Sequence, residues 1–261
     1  MILDDILAHK RQEIAAAQQR LPLEELQRRV KGRRAERSFR DALTSRQPSL
    51  ALIAELKRKS PSRGMLRERF DPISLAQQMQ EAGASALSVL TDERFFGGHL
   101  DILRDVHQFT EIPTLRKDFI LEPYQVYEAA SAQADAILLI VQALAPEALK
   151  RLLALAREVG VEALVEVHDE AELQMALAAG ADIIGINHRD LRTFTMQMDT
   201  TERLAPKIPA GTAIVAESGV QSADDVKRLR DLGVHAVLIG EALMTAPDVA
   251  GKIRELFAGV W

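Results

Sequence analysis

Short apolar runs recur along the chain, and each is followed by a longer stretch in which apolar residues return every three or four positions. The runs fall at residues 50–56, 86–90, 113–116, 136–141, 163–167, 183–186, 213–216 and 236–239. A continuous apolar run of four to eight residues suits a strand buried on both faces, and the 3.6-residue period suits an amphipathic helix. Stretches of the second kind include 73–82, 146–159, 170–179, 222–232 and 247–257. Gly83, Gly160, Gly180 and Gly233 stand where such helices would stop. Two further helical stretches, at about 3–19 and 23–30, precede the first run.

Eight strand–helix units predict an α/β protein with a parallel sheet covered by helices, and eight is the number that closes a (β/α)8 TIM barrel. The expectation is one domain over residues 1–261, with residues 1–48 forming an N-terminal helical extension. A length of 261 residues suits that barrel. A doubly wound open sheet is the alternative, but it carries a Gly-rich fingerprint after its first strand. Here Lys57-Arg58-Lys59-Ser60-Pro61 occupies that place.

Composition narrows the function classes. Hydrophobic residues make up 47% and charged residues 27%, the balance of an ordinary soluble protein. The longest apolar stretch, 136–141, is far short of the roughly 20 residues that span a bilayer. The start, Met1-Ile2-Leu3-Asp4-Asp5, is acidic where a signal peptide would be basic, so a cytoplasmic location is expected and no membrane partner. The absence of cysteine removes disulfides, thiolate nucleophiles and Cys-based metal sites. A net charge of −5 argues against nucleic-acid binding. Arg28, Arg29, Lys31, Arg33, Arg34 and Arg37 could form an RNA-binding arm, but without interleaved aromatics they suit a solvated helix and loop.

The strand ends carry the chemistry. Residues two apart in a strand point to the same face, so Glu55 and Lys57 emerge side by side from an apolar run. Alone, such a pair could be a surface salt bridge. Later runs end in Lys117, Glu166, Asn187, Glu217 and Gly240, however, and in a barrel these ends converge on one mouth. Two lysines and three carboxylates in one cavity can hold an acid and a base near neutral pH. The turns Glu217-Ser218-Gly219-Val220 and Ile239-Gly240-Glu241-Ala242 follow strands seven and eight, where barrel enzymes bind phosphate with backbone N–H groups. Ser60 could add a hydroxyl donor. Phe95-Phe96-Gly97-Gly98 either packs beneath neighbouring helices or walls an apolar pocket. His168, Asp169 and His188 lie near strand ends, but no His-x-x-x-His or comparable spacing supports a metal, and none is expected.

These segments, in this order, resemble the indole-3-glycerol-phosphate synthase family. The resemblance rests on Ile53-Ala54-Glu55-Leu56-Lys57 with Ser60-Pro61-Ser62-Arg63-Gly64, Ser88-Val89-Leu90-Thr91-Asp92 with Phe95-Phe96-Gly97-Gly98, and Leu115-Arg116-Lys117-Asp118-Phe119-Ile120. It continues through Val165-Glu166-Val167-His168, Gly185-Ile186-Asn187 with Arg189-Asp190-Leu191, Glu217-Ser218-Gly219 and Ile239-Gly240-Glu241-Ala242-Leu243-Met244. It covers the chain from about Phe39 onward, and the N-terminal helices suit the extension this family carries.

The resemblance implies ring closure of 1-(2-carboxyphenylamino)-1-deoxyribulose 5-phosphate to indole-3-glycerol phosphate, with loss of carbon dioxide and water and no cofactor. It implies Lys117 as general acid, Glu166 in acid/base work, and Glu55 with Lys57 in substrate binding and dehydration. Asn187 and Glu217 would hold substrate hydroxyls, and Ser60, Ser218, Gly219, Gly240 and Glu241 would surround the phosphate. Glu241 is expected to act only through its backbone N–H. Phe96, Phe119 and Leu138 would lie against the anthranilate ring. His188 stands where the family commonly has Asn, and strand alternation turns it away from the side that Asn187 reaches.

The expected partner is a small phosphorylated substrate, and the expected assembly a monomer or weak homodimer. Phosphoribosylanthranilate isomerase, a related barrel, needs a cysteine base that this chain lacks. A Schiff-base aldolase using Lys57 or Lys117 and a non-catalytic sugar-phosphate binder remain as alternatives.

Overall fold

The computed structural model describes residues 2–33, 35–45, 49–190 and 195–261, so Arg34 and Leu191 of the sequence motifs lie outside the described residues. Eight parallel strands form a closed barrel: β1 (Ala51–Leu56), β2 (Ala86–Leu90), β3 (Thr114–Lys117), β4 (Ala136–Ile140), β5 (Glu162–Val167), β6 (Ile183–Asn187), β7 (Ala213–Glu217) and β8 (Ala236–Ile239). Each pairs with its sequence neighbours, and β1 closes on β8 with Ala51 opposite Ala236 and Ala54 opposite Ile239. Every expected strand is present within one residue at each end. Gly83, Gly160, Gly180 and Gly233 take φ of +104°, +69°, +83° and +77°, the left-handed conformation of a helix C-terminal stop.

Alternation along each strand divides the apolar side chains between two layers. Ile53, Leu115, Leu138, Leu164 and Val215 point into the barrel, whereas Leu52, Leu87, Ile137, Val165 and Ile184 face the surrounding helices. Both layers are buried, which is why the runs read as continuous rather than alternating.

The extension does three different things. The helix α1 (Ile2–Arg20) sends Leu3, Ile6 and Leu7 into the same apolar cluster as Phe95, Phe96 and Phe119. From α1, Lys10 (4% exposed) reaches Asp92 at 2.9 Å, Asp118 at 2.8 Å and Glu13 at 2.6 Å. The helix α2 (Leu23–Val30) packs on Pro123–Ser131, with Leu26 joining Ile14 and Tyr124. A third helix, α3 (Phe39–Thr44), places fully buried Phe39 and Leu43 beside the strand-start residues Ala51, Ala213 and Ala236, closing the N-terminal end of the barrel. Only six residues long, α3 leaves no periodic trace in the sequence, although Ser38 caps it by accepting the Asp41 N–H at 3.1 Å. After β1, Lys59–Ser60 and Gly64–Met65 pair as a small antiparallel hairpin.

Candidate active site

The C-terminal strand ends open into a cavity of about 920 Å³, within the range of small-molecule sites. All the expected residues line it: Glu55, Lys57, Ser60, Phe96, Lys117, Phe119, Leu138, Glu166, Asn187, Glu217, Ser218, Gly219, Gly240 and Glu241. They come from all eight strands or the loops that follow them, so only barrel closure brings them together. His188 is not among the lining residues. Its Nε2 pairs with Thr201 Oγ1 at 2.7 Å and its Nδ1 with the Ser218 carbonyl at 2.9 Å, away from the cavity that Asn187 enters.

Lys117 stands at the centre. Its Nζ lies 3.6 Å from Glu166 Oε2 and 3.6 Å from Glu217 Oε2. Burial would strip the ammonium of its proton, but Glu166, Glu217 and Glu55 outweigh it, so Lys117 stays charged. Burial also opposes the ionised Glu166, yet Lys117 and His168 hold it well below the usual carboxylate range. Glu217 goes the other way: burial, with repulsion from Glu166, pushes it up to about 8 against the pull of Lys117. One ammonium therefore sits between an ionised and a protonated carboxyl near neutral pH. Beside them, Lys57 Nζ is 2.5 Å from Glu55 Oε2. Burial raises Glu55, but Lys57 and then Lys117 bring it below its ordinary value.

One end of the cavity is apolar. The Phe96 and Phe119 rings are 6.2 Å apart at 37°, and Leu138 and Ile140 from β4 and Leu238 from β8 complete the wall. Asp92 positions Phe96 by accepting the Phe95 N–H at 2.7 Å and the Phe96 N–H at 3.3 Å.

The other end carries the glycine turns. Ser218 and Gly219 have φ of +69° and +86°, and a side chain on Gly219 would collide with Met196 and Met198. Gly219 does not open a helix, since the next one begins at Ala223 with Ser222 as its cap. Gly240 precedes the short helix Glu241–Met244 and has φ −119°, so its backbone angle demands no glycine. What demands one is Glu55, whose carboxylate fills the space a Cβ would take. The Glu241 carboxylate is also not idle. Arg63 holds it at 3.0 Å and Arg189 at 3.4 Å, and Arg189 donates to Ser62 Oγ at 2.8 Å. These contacts tie the loops after β1, β6 and β8 together and bring two guanidiniums to the glycine turns. Both arginines lie inside the matching motifs, but strand-end logic passes over loop residues. Asn187 is fixed from the same loop, its Oδ1 accepting the Arg189 N–H at 3.0 Å.

Among the described residues, no group of His, Cys, Asp and Glu gathers to hold a metal. His168 pairs with Glu166 at 3.3 Å and Glu172 at 3.0 Å, and Asp169 caps the helix Glu170–Ala178.

A closed parallel barrel with an acid–base cluster and glycine turns at its C-terminal mouth defines a (β/α)8-barrel enzyme. Solved structures share that fold at low identity. 3-Hexulose-6-phosphate synthase from Salmonella typhimurium aligns with a TM-score of 0.64 at 16% identity, over 79% of this chain and 96% of that one. The N-acetylmannosamine-6-phosphate 2-epimerase from Clostridium perfringens aligns at 0.63 and 14%, over 81% and 93%. The family pattern for indole-3-glycerol phosphate synthase matches residues 3–256, and the chain belongs to that family of decarboxylating lyases in tryptophan biosynthesis. The indole-3-glycerol phosphate synthase of Roseiflexus castenholzii is 49% identical over 98% of this chain and 97% of its own length. That of Acetivibrio thermocellus is 45% identical over 99% and 100%.

Proposed function

We propose that the cavity closes the indole ring of 1-(2-carboxyphenylamino)-1-deoxyribulose 5-phosphate, with the following division of labour. The Lys117 ammonium gives a proton to the C2′ ketone oxygen as the ring carbon bearing the carboxylate attacks C2′. Breaking the bond to that carboxylate releases carbon dioxide and returns its electron pair to the ring. The C2′ hydroxyl then leaves as water with a proton from an acid, while a base removes a proton from C1′. Glu166, kept ionised, serves as the base, and Glu55 with Lys57 supports dehydration. Asn187 and protonated Glu217 hold substrate hydroxyls. Ser60, the Ser218–Gly219 turn and the Gly240–Glu241 backbone surround the phosphate, with Arg63 and Arg189 nearby. Phe96, Phe119 and Leu138 hold the anthranilate ring.

The observation that carries this reading is Lys117 at 3.6 Å from each of two carboxyls with opposed proton affinities. The same observation weighs against a Schiff-base aldolase, because an imine needs a neutral amine and Lys117 is held as an ammonium. A simple sugar-phosphate binder would not need this row of acids and bases. Adding the substrate should produce indole absorbance and fluorescence, and no product would overturn the proposal. Borohydride should trap no adduct.

The partner on this reading is a small phosphorylated molecule and no nucleic acid. The chain works in the cytoplasm as one domain, a monomer or weak homodimer, which light scattering tests directly. Among the described residues no helix is long and apolar enough to cross a membrane.

A further inference from the structure

His168 lies one residue past β5, outside the cavity lining and behind Glu166. Glu172, in the first turn of the following helix, grips it twice: its carboxylate accepts the His168 backbone N–H at 2.8 Å and faces Nδ1 at 3.0 Å. This double grip aims Nε2 at Glu166 Oε1, 3.3 Å away. The other Glu166 oxygen faces Lys117, so Glu172, His168, Glu166, Lys117 and Glu217 form one row. Lys117 and His168 hold the Glu166 carboxylate chiefly by charge, with the neutral Asn187 amide beside it.

We propose that His168 is a positioning residue for the ring closure: clamped by Glu172, it turns the Glu166 carboxylate toward Lys117 and sets the proton balance of the row. The inference rests on Glu166 acting as the acid/base group. Burial would lower the imidazole, but Glu166 and Glu172 bring it up to about 10, so it is a cation at neutral pH. The groups facing Glu166 are Lys117 from β3, His168 and Asn187; ionised Glu55 adds opposing charge, and Glu217 is protonated near neutral pH. Removing the imidazolium leaves Lys117, with the Asn187 amide, to offset burial and the Glu55 charge.

The test uses His168→Gln and Glu172→Gln, measured by pH profile and by titration of isotope-labelled Glu166. In His168→Gln the Glu166 titration and the acid limb of kcat/KM should move up by about one pH unit, a tenfold change in protonation along that limb. At neutral pH, where Glu166 stays ionised in both proteins, turnover should fall about tenfold through the carboxylate's lost aim at Lys117 alone. Inhibition by inorganic phosphate should change less than twofold. Glu172→Gln, which touches only His168 in this row, should shift both measurements the same way. If His168→Gln does not fold, Glu172→Gln decides. A merely structural tie between strand and helix would lower the melting temperature and leave the pH profile and the Glu166 titration where they are, and that result overturns the proposal. Should Glu166 titrate as expected while Glu166→Gln keeps full turnover, the acid/base role of Glu166 fails and the coupling to His168 stands.

Discussion

Lys117 and Gly240 are the residues whose replacement separates chemistry from binding. A positioned general acid contributes roughly 10² to 10⁴ in rate, so Lys117→Ala should fold, bind inorganic phosphate normally and lose turnover by that factor. Turnover near the unaltered level would remove Lys117 from the mechanism. Gly240 offers a sharper case. Its φ of −119° accepts any residue, so backbone strain does not explain the glycine. A Cβ there meets the Glu55 carboxylate, and Glu55 is tied to Lys57. Gly240→Ala should therefore displace the Glu55 carboxylate and, on the proposed mechanism, lower kcat by on the order of 10²-fold, as misplacements of about 1 Å do. A change confined to phosphate affinity would mean the glycine serves the anion alone. Adjacent Gly219 differs, since both its φ of +86° and the neighbouring methionines exclude a side chain.

At the scale of elements, the first helix is fastened to the mouth of the barrel by one buried charge. Burial alone would raise the Asp118 carboxyl, but Lys10 and Arg116 outweigh it and hold Asp118 well below the carboxylate range. A depressed carboxyl stabilises the fold fully above its unfolded value of 3.8 and loses that contribution as pH falls through the folded value. Lys10→Met removes a partner from a buried pair and should cost ~3–5 kcal/mol at pH 7. Denaturant unfolding at pH 7 and again below pH 4 tests this: the gap between the two proteins should narrow in acid, where Asp118 can take a proton. An equal gap at both values would show that Lys10 acts through packing rather than charge. Such a contact cannot be read along the chain. The lysine and its two distant acids are about 80 and 110 positions apart, and a Lys on an amphipathic helix resembles any solvated one. The α3 plug was hidden for a different reason: two apolar residues and a cap are too few to mark a period, so Phe39 and Leu43 show their purpose only once eight strands surround them.

The barrel itself was legible because the same device repeats eight times, and a continuous apolar run means a strand covered on both faces. The site was legible for a related reason. Charge at the end of an apolar run is costly, and closure directs every such end to one mouth, so Glu55, Lys117, Glu166, Asn187 and Glu217 could be placed before any coordinates. Contacts between loops lacked that geometric rule. Arg63 and Arg189 reach Glu241 from two separate loops, and His168 reaches Glu166 through a turn, so their roles depend on side-chain directions that spacing does not specify.

The closed ring of strands has a consequence for dividing the molecule. The connection at Gly160, between the helix Pro146–Glu158 and β5, splits the chain into β1–β4 and β5–β8. The first half holds both lysines, Glu55 and the aromatic wall; the second holds Glu166, Asn187, Glu217 and both glycine turns. Neither fragment has the acid together with its base, nor the means to grip both ends of the substrate. Severed there, each piece should be inert when produced alone, and co-production should restore ring closure by re-forming the β4–β5 and β8–β1 seams. Activity in a lone fragment, or none after the two reassociate, would contradict that account.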